Sequence, residues 1–248
     1  MTMTAGFVPD PGPDPTSAPC SYAEVRRVFA SGQDFIDFIL TRCHDPAMTG
    51  EFAYSNMGSH LVAAVLAEAL RGAGKRRTIL DYAREKLFDP LGIRSSPAFT
   101  KSVVVEDKGF RRSGFAWLTD PQGIQIGALG LRLTAPDLIK IGQLHLNAGV
   151  WNGNQVVSAA WVSQVTQGSG KLSEYGLLWW LDTWNRHRVL MALGQGGYEA
   201  GGSGAYLIAV VPDLKLVVAI TSADDPELPL DPEGLFPLVR DLIIPAFE

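Results

Sequence analysis

The 248 residues are 46% apolar and 19% charged, with a mean hydropathy of +0.09, which is the composition of a folded globular chain able to bury its own core. Lys plus Arg number 21 against 26 Asp plus Glu, a net charge of −5 with no basic run, so neither nucleic acid nor an anionic membrane surface is an expected partner. No window approaches the roughly 18 uninterrupted apolar residues of a membrane span, and Met1–Val8 has neither the basic nor the apolar region of a signal peptide.

Outside two helices, the first fifty residues read as irregular. Pro9, Pro11, Pro13, Pro15 and Pro19, interleaved with Asp10, Gly12 and Asp14, oppose both helix and ladder pairing. A short helix is expected around Tyr22 to Ala30, and another around Gln33 to Arg42, with Phe35, Phe38, Ile39 and Arg42 on one face. Cys20 and Cys43, the only cysteines, are too few for a disulfide scaffold or a structural zinc site. Free thiols are the default expectation, and one bridge is compatible with an exported protein.

The clearest helix starts after Asn56. Leu61, Val62, Val65, Leu66, Ala69 and Leu70 recur at helical spacing, and Gly72 and Gly74 stop it. Another runs from about Thr78 to Phe88, with Leu80, Tyr82, Ala83 and Leu87 apolar, and Pro90 ends it. Thr134-Ala-Pro-Asp137 is a capping-box start for a helix through Leu138, Ile139, Ile141, Leu144 and Leu146, ending before Gly149. Ser158 caps a short helix carrying Trp161 and Val165.

After Tyr175 the pattern turns extended. Gly176–Leu181 is an expected strand, and Ala205–Val211 and Lys215–Thr221, joined by Pro212-Asp-Leu214, form a hairpin. Their nearly continuous apolarity predicts strands covered on both faces. A closing amphipathic helix uses Leu235, Leu238, Val239, Leu242 and Ile243. The segregation predicts an α+β layer arrangement, with residues 1–174 mostly helical and 175–248 carrying the strands and closing helix of a single domain. Three strands make a thin sheet for so much helix.

Few residues stand out chemically. His44, His60, His145 and His187 are scattered with no metal-binding spacing and read as surface or cap residues; no metal and no cofactor is expected. Gly194-Gln-Gly-Gly197 and Gly201-Gly-Ser-Gly204 complete no phosphate loop, and Ser203 leads into a strand rather than a helix, so it is no nucleophile elbow. These glycines read as flexible turns or as backbone left bare for a ligand. Tyr54-Ser-Asn56, directly before the clearest helix, is either a helix cap through Ser55 or Asn56, or a phenol and an amide aimed into a cleft.

Gly50-Glu-Phe-Ala-Tyr-Ser-Asn56, followed by a helix and then Leu87-Phe-Asp-Pro-Leu-Gly-Ile93, resembles the serine β-lactamase-related family of class C β-lactamases, DD-peptidases, esterases and amide hydrolases. Thr2-Met-Thr-Ala-Gly6, Gly127–Asp137, Gly149–Gln155, Tyr175-Gly176 with Trp179 and Trp180, and Tyr198–Tyr206 followed by Val210-Val-Pro-Asp213 resemble further family segments, in the family's order. The resemblance implies a β-lactamase/DD-peptidase-like fold, a helical subdomain with an antiparallel sheet, and acyl-enzyme hydrolysis of a small-molecule ester, amide or β-lactam. In such enzymes a serine in S-x-x-K attacks a carbonyl with its lysine helping take the proton. The resemblance assigns Tyr54 and Asn56 to catalysis: the tyrosine carries a proton to or from the leaving group. It assigns Ala200, Gly201, Gly202 and Ser203 to the third motif, with the Ser203 N–H as an oxyanion-hole donor and Gly194–Gly197 as a second register. Ala200 in place of a lysine favours an ester or simple amide over a carboxylate-bearing antibiotic.

One departure matters. No serine or threonine in the chain is followed by lysine three residues on; Ser163, Ser169 and Ser173 are followed at that offset by Thr166, Leu172 and Gly176. In the family S-x-x-K precedes the segment resembling Thr2–Gly6, so the expectation is a C-terminal portion, incomplete at the N-terminus through truncation or a misplaced start, inactive alone and poorly soluble. A non-catalytic ligand- or peptide-binding relative and one half of a split hydrolase are the alternatives. Substrate identity, compartment and oligomeric state stay open.

Overall fold

The computed structural model describes residues 1–9, 20–72, 77–95, 113–168, 170–196, 204–221 and 232–248. They divide into two compact units, Met1–Arg132 and Leu133–Glu248. The proline-rich stretch at 10–19 and the candidate site at Ala200–Ser203 lie outside the described residues.

In the first unit, β1 (Ala5–Phe7) pairs antiparallel with β2 (His44–Thr49). This pair corrects the irregular reading of the first fifty residues. β1 has only three residues, and β2 is almost wholly exposed and contains Pro46, so neither carries an alternating pattern. α1 (Tyr22–Ser31) is capped by Ser21, whose side chain accepts from Glu24 N–H, and ends at Gly32 in the left-handed region. α2 (Phe35–Arg42) starts at Asp34, whose carboxylate accepts from the N–H groups of Ile36 and Asp37, and buries Phe35, Phe38 and Ile39 as expected. Cys20 and Cys43, just before α1 and just after α2, form a disulfide, which overturns the default reading of free thiols. Phe7, Val28, Phe35, Phe38, Ile39 and Met57 pack around it, so one core draws the two ends together.

α3 (Asn56–Gly72) occupies the expected span but turns a different face inward. It buries Met57, Ser59, His60, Ala63 and Ala67, whereas Val62 and Val65 of the predicted stripe are 38% and 65% exposed. Small residues win that face because they let neighbouring backbone come close, a gain that hydrophobic periodicity does not register. α4 (Ile79–Ala83) begins with a reciprocal Thr78–Asp81 capping box and continues as a π-helical turn over Arg84–Phe88. β3 (Ala116–Trp117) pairs with β4 (Leu131–Arg132) at the end of this unit.

The second unit holds α5 (Ala135–Leu146), capped by Thr134 with proline in the first turn, and α6 (Ala159–Val165), capped by Ser158. Between them, β5 (Val150–Trp151) and β6 (Asn154–Gln155) form a hairpin whose Asn152 and Gly153 both have positive φ. The main sheet is antiparallel with four strands in the order β10-β9-β8-β7. These are β7 (Trp180–Trp184), β8 (His187–Gly196), β9 (Gly204–Val211) and β10 (Leu216–Thr221). The strand expected at 176–181 begins only at Trp180, and β8 was not expected, because its polar start and glycine-rich end obscure the Val189–Leu193 run.

The hairpin of β9 and β10 is covered on both sides, as its apolarity predicts. Leu207, Ala209 and Val211 pack with Leu235, Val239 and Ile244, while Ile208 and Val210 pack with Leu138, Val165 and Trp179. The closing segment is not an α-helix. It runs as 3-10 turns at Pro232–Leu235 and Ile244–Phe247 flanking a π-helical stretch at Leu238–Ile243. Leu235, Val239 and Ile244 are therefore buried, while Leu238 and Leu242 of the expected stripe are 41% and 66% exposed. Short antiparallel pairs are interspersed among the helices and only the main four-stranded sheet is collected at the C-terminal end, so the strict segregation expected from sequence does not hold; helices with antiparallel sheets still make an α+β arrangement.

Candidate functional site

The approach to the Tyr54-Ser-Asn56 segment is held by the residues just before β1. Gly50 N–H donates to the Thr4 carbonyl at 2.9 Å and Ala53 N–H to the Met3 carbonyl at 2.8 Å, which lays the approach to α3 along the N-terminal strand. Ser55 is 1% exposed and does the capping: its Oγ accepts from Gly58 N–H at 3.3 Å, and its carbonyl accepts from Ser59 N–H at 3.1 Å. Tyr54, 36% exposed, and half-buried Asn56 stand on either side of that buried serine. The cap is thus carried by the middle residue of the tripeptide. A phenol can give or take a proton, and an amide can orient a polar group by donating and accepting at once.

Behind this segment sits a buried polar cluster that the sequence reading missed. His60, read as a surface or cap residue, is fully buried, and so is Asp120. His60 Nε2 lies 3.1 Å from Asp120 Oδ2, and Gly127 N–H donates to His60 Nδ1 at 3.3 Å. Because Nδ1 accepts, the ring proton is on Nε2 and is donated to the carboxylate. The other Asp120 oxygen accepts from Gln122 N–H at 2.9 Å and Ile124 N–H at 2.8 Å, so the buried charge is met by three donors. No local signal reveals the pair, since its members are 60 residues apart.

The remaining predicted residues lie in the second unit. β8 and β9 stay in register to the Gly196–Gly204 pair, and Ala200, Gly201, Gly202 and Ser203 fall in the chain between them, outside the described residues. Of the second register, Gly194, Gln195 and Gly196 are strand residues paired with Tyr206, Ala205 and Gly204, not a turn. Among the described residues, no group of His, Cys, Asp and Glu could hold a metal ion, and no helix is long and apolar enough to cross a membrane.

The model of the beta-lactamase family matches residues 1–236. The chain belongs to that family. Solved structures place the beta-lactamase-family fold over nearly all of it. A Bacillus anthracis protein provisionally named a 6-aminohexanoate-dimer hydrolase superposes with a TM-score of 0.62 at 15% identity, covering 99% of this chain and 59% of its own. A Bacteroides dorei DSM 17855 protein provisionally named a beta-lactamase gives a TM-score of 0.50 at 15% identity, covering 90% of this chain and 62% of its own. This beta-lactamase-family chain thus spans about three fifths of the length of both structures. No curated protein matches it. The helices and antiparallel sheets of both units are consistent with the fold of that family.

Proposed function

We propose that the chain is the part of a serine hydrolase that surrounds an acylated serine, and that this serine comes from residues outside these 248. Tyr54 moves the proton between nucleophile and leaving group, Asn56 orients a polar partner, and backbone N–H groups at Ala200–Ser203 stabilise the oxyanion. The observation that carries the reading is the tripeptide itself, in which buried Ser55 makes the helix cap and a 36% exposed Tyr54 and half-buried Asn56 flank it, in a chain without S-x-x-K. Ala200 at the place of a lysine supports an ester or simple amide as substrate. The name of one structural neighbour points the same way, since a dimer of 6-aminohexanoate is joined by an amide.

Without the nucleophile, only positioning and oxyanion groups remain, a residual about a thousandfold or more below an intact enzyme. The isolated chain should therefore hydrolyse a p-nitrophenyl ester at background rate. Co-production with a separate chain bearing S-x-x-K should restore hydrolysis, and Tyr54→Phe should then cost roughly a hundredfold or more. Hydrolysis by the isolated chain that Tyr54→Phe abolishes would overturn the proposal and make Ser203 the first nucleophile to test. Ligand binding by a soluble chain with no turnover in either arm would favour a non-catalytic relative.

A further inference from the structure

His60 stands four residues after Asn56 on the buried side of α3, and its ring is held from two directions. Asp120 takes the Nε2 proton, and the Gly127 N–H fills Nδ1. Both partners belong to one tight turn. Asp120 N–H donates to the Ile124 carbonyl at 2.8 Å, Ile126 N–H donates to the Leu118 carbonyl at 2.9 Å, and Thr119 bridges Gln125. The turn is seated on α3 with no spare room: a Cβ on Gly127 would lie 2.8 Å from the Ser59 carbonyl oxygen and 2.8 Å from the Ala63 Cβ. Its tip is also tied to α2, because Gln122 accepts from Phe35 N–H and donates to the Gln33 carbonyl, both at 3.0 Å.

We infer that His60 and Asp120 are positioning residues for Tyr54 and Asn56, an inference that rests on the function proposed above. The pair clasps the 118–127 turn to the first two turns of α3 and so fixes how the helix presents the tripeptide at its head. Hydrogen-bond polarity makes the clasp specific. In Asp120→Asn, an amide oxygen kept on the Gln122 and Ile124 N–H groups would turn its NH2 toward the His60 Nε2–H, leaving two donors face to face. Moving the ring proton to Nδ1 would relieve that clash and set it against the Gly127 N–H instead. Turning the amide over would place its NH2 against the two backbone donors. Every arrangement leaves a buried donor unpaired, so an isosteric change should move α3.

The test reads structure, not turnover, so it stands or falls separately from the proposed activity. In wild-type protein, nitrogen NMR of His60 should show a protonated Nε2 and an unprotonated Nδ1. In protein labelled with fluorotyrosine, the Tyr54 signal, assigned through its loss in Tyr54→Phe, should shift in Asp120→Asn. It should stay in place in Val239→Ala, a cavity in the core of the second unit that destabilises without touching the pair or its neighbours. A protonated Nδ1, or an unmoved Tyr54 signal in folded Asp120→Asn, would overturn the inference. If Asp120→Asn does not fold, hydrogen exchange on the wild type decides. The amides of Gly58, Ser59, Ile124 and Gly127 should open together with one protection factor, and independent opening would overturn it.

Discussion

At the scale of single residues, protonation follows from what each ring touches. His145 on α5 donates from Nδ1 to the Ile141 carbonyl at 3.0 Å and rests against Trp179, with ring centroids 4.3 Å apart. Burial holds its pKa below the ordinary 6.5, against a smaller upward pull from the Ile141 carbonyl. The sign follows. Below 6.5 the unfolded chain binds a proton that the folded protein still refuses, so this contribution to stability is full above 6.5 and is lost as pH falls toward the depressed folded value. Urea unfolding should show stability declining as pH falls below about 6.5 toward the depressed folded value, and His145→Leu should flatten that slope. Tyr54-Ser-Asn56 marks how far single residues could be read beforehand. The sequence leaves the cap open between Ser55 and Asn56, and only coordinates assign it, with the buried Ser55 hydroxyl on Gly58 N–H.

At the scale of elements, caps and strand chemistry were legible while close contacts were not. Thr134, Ser158 and Thr78 start helices where the sequence puts them, because a side-chain oxygen on a first-turn N–H is a local interaction. The inward face of α3 and the π-helical close over Leu238–Ile243 depend on neighbours distant in sequence, so helical periodicity found only part of each buried face: it picked out Leu235 and Val239 but also the exposed Val62, Val65, Leu238 and Leu242. The same tight packing recurs where α5 meets the sheet. A Cβ on Gly142 would lie 2.5 Å from the Val217 Cγ1 and 3.0 Å from the Ile208 Cγ2, both on strands of the packed hairpin. Gly142→Ala should therefore destabilise by about 1–3 kcal/mol through overpacking, despite alanine's better helix propensity, as read from the denaturation midpoint.

At the scale of the whole molecule, the family and the α+β layout could be read from motifs in order along the chain, whereas the disulfide could not. Two cysteines 23 residues apart carry no pairing signal of their own; the core around Phe35, Phe38 and Ile39 brings them together. Closing a loop of that length is worth about 3 kcal/mol through the unfolded state. Reduction, or Cys20→Ser with Cys43→Ser, should lower unfolding stability by about that amount in urea titrations with and without reductant. The larger claim is that these residues serve an acyl group carried by a serine they do not contain. Intact-mass measurement of the isolated chain after exposure to an activated p-nitrophenyl ester tests it most directly. The isolated chain should keep an unmodified mass under conditions that stoichiometrically acylate a serine hydrolase of the family. A single acyl adduct on one of the chain's own serines, formed at the rate of ester cleavage and lost in Tyr54→Phe, would contradict it.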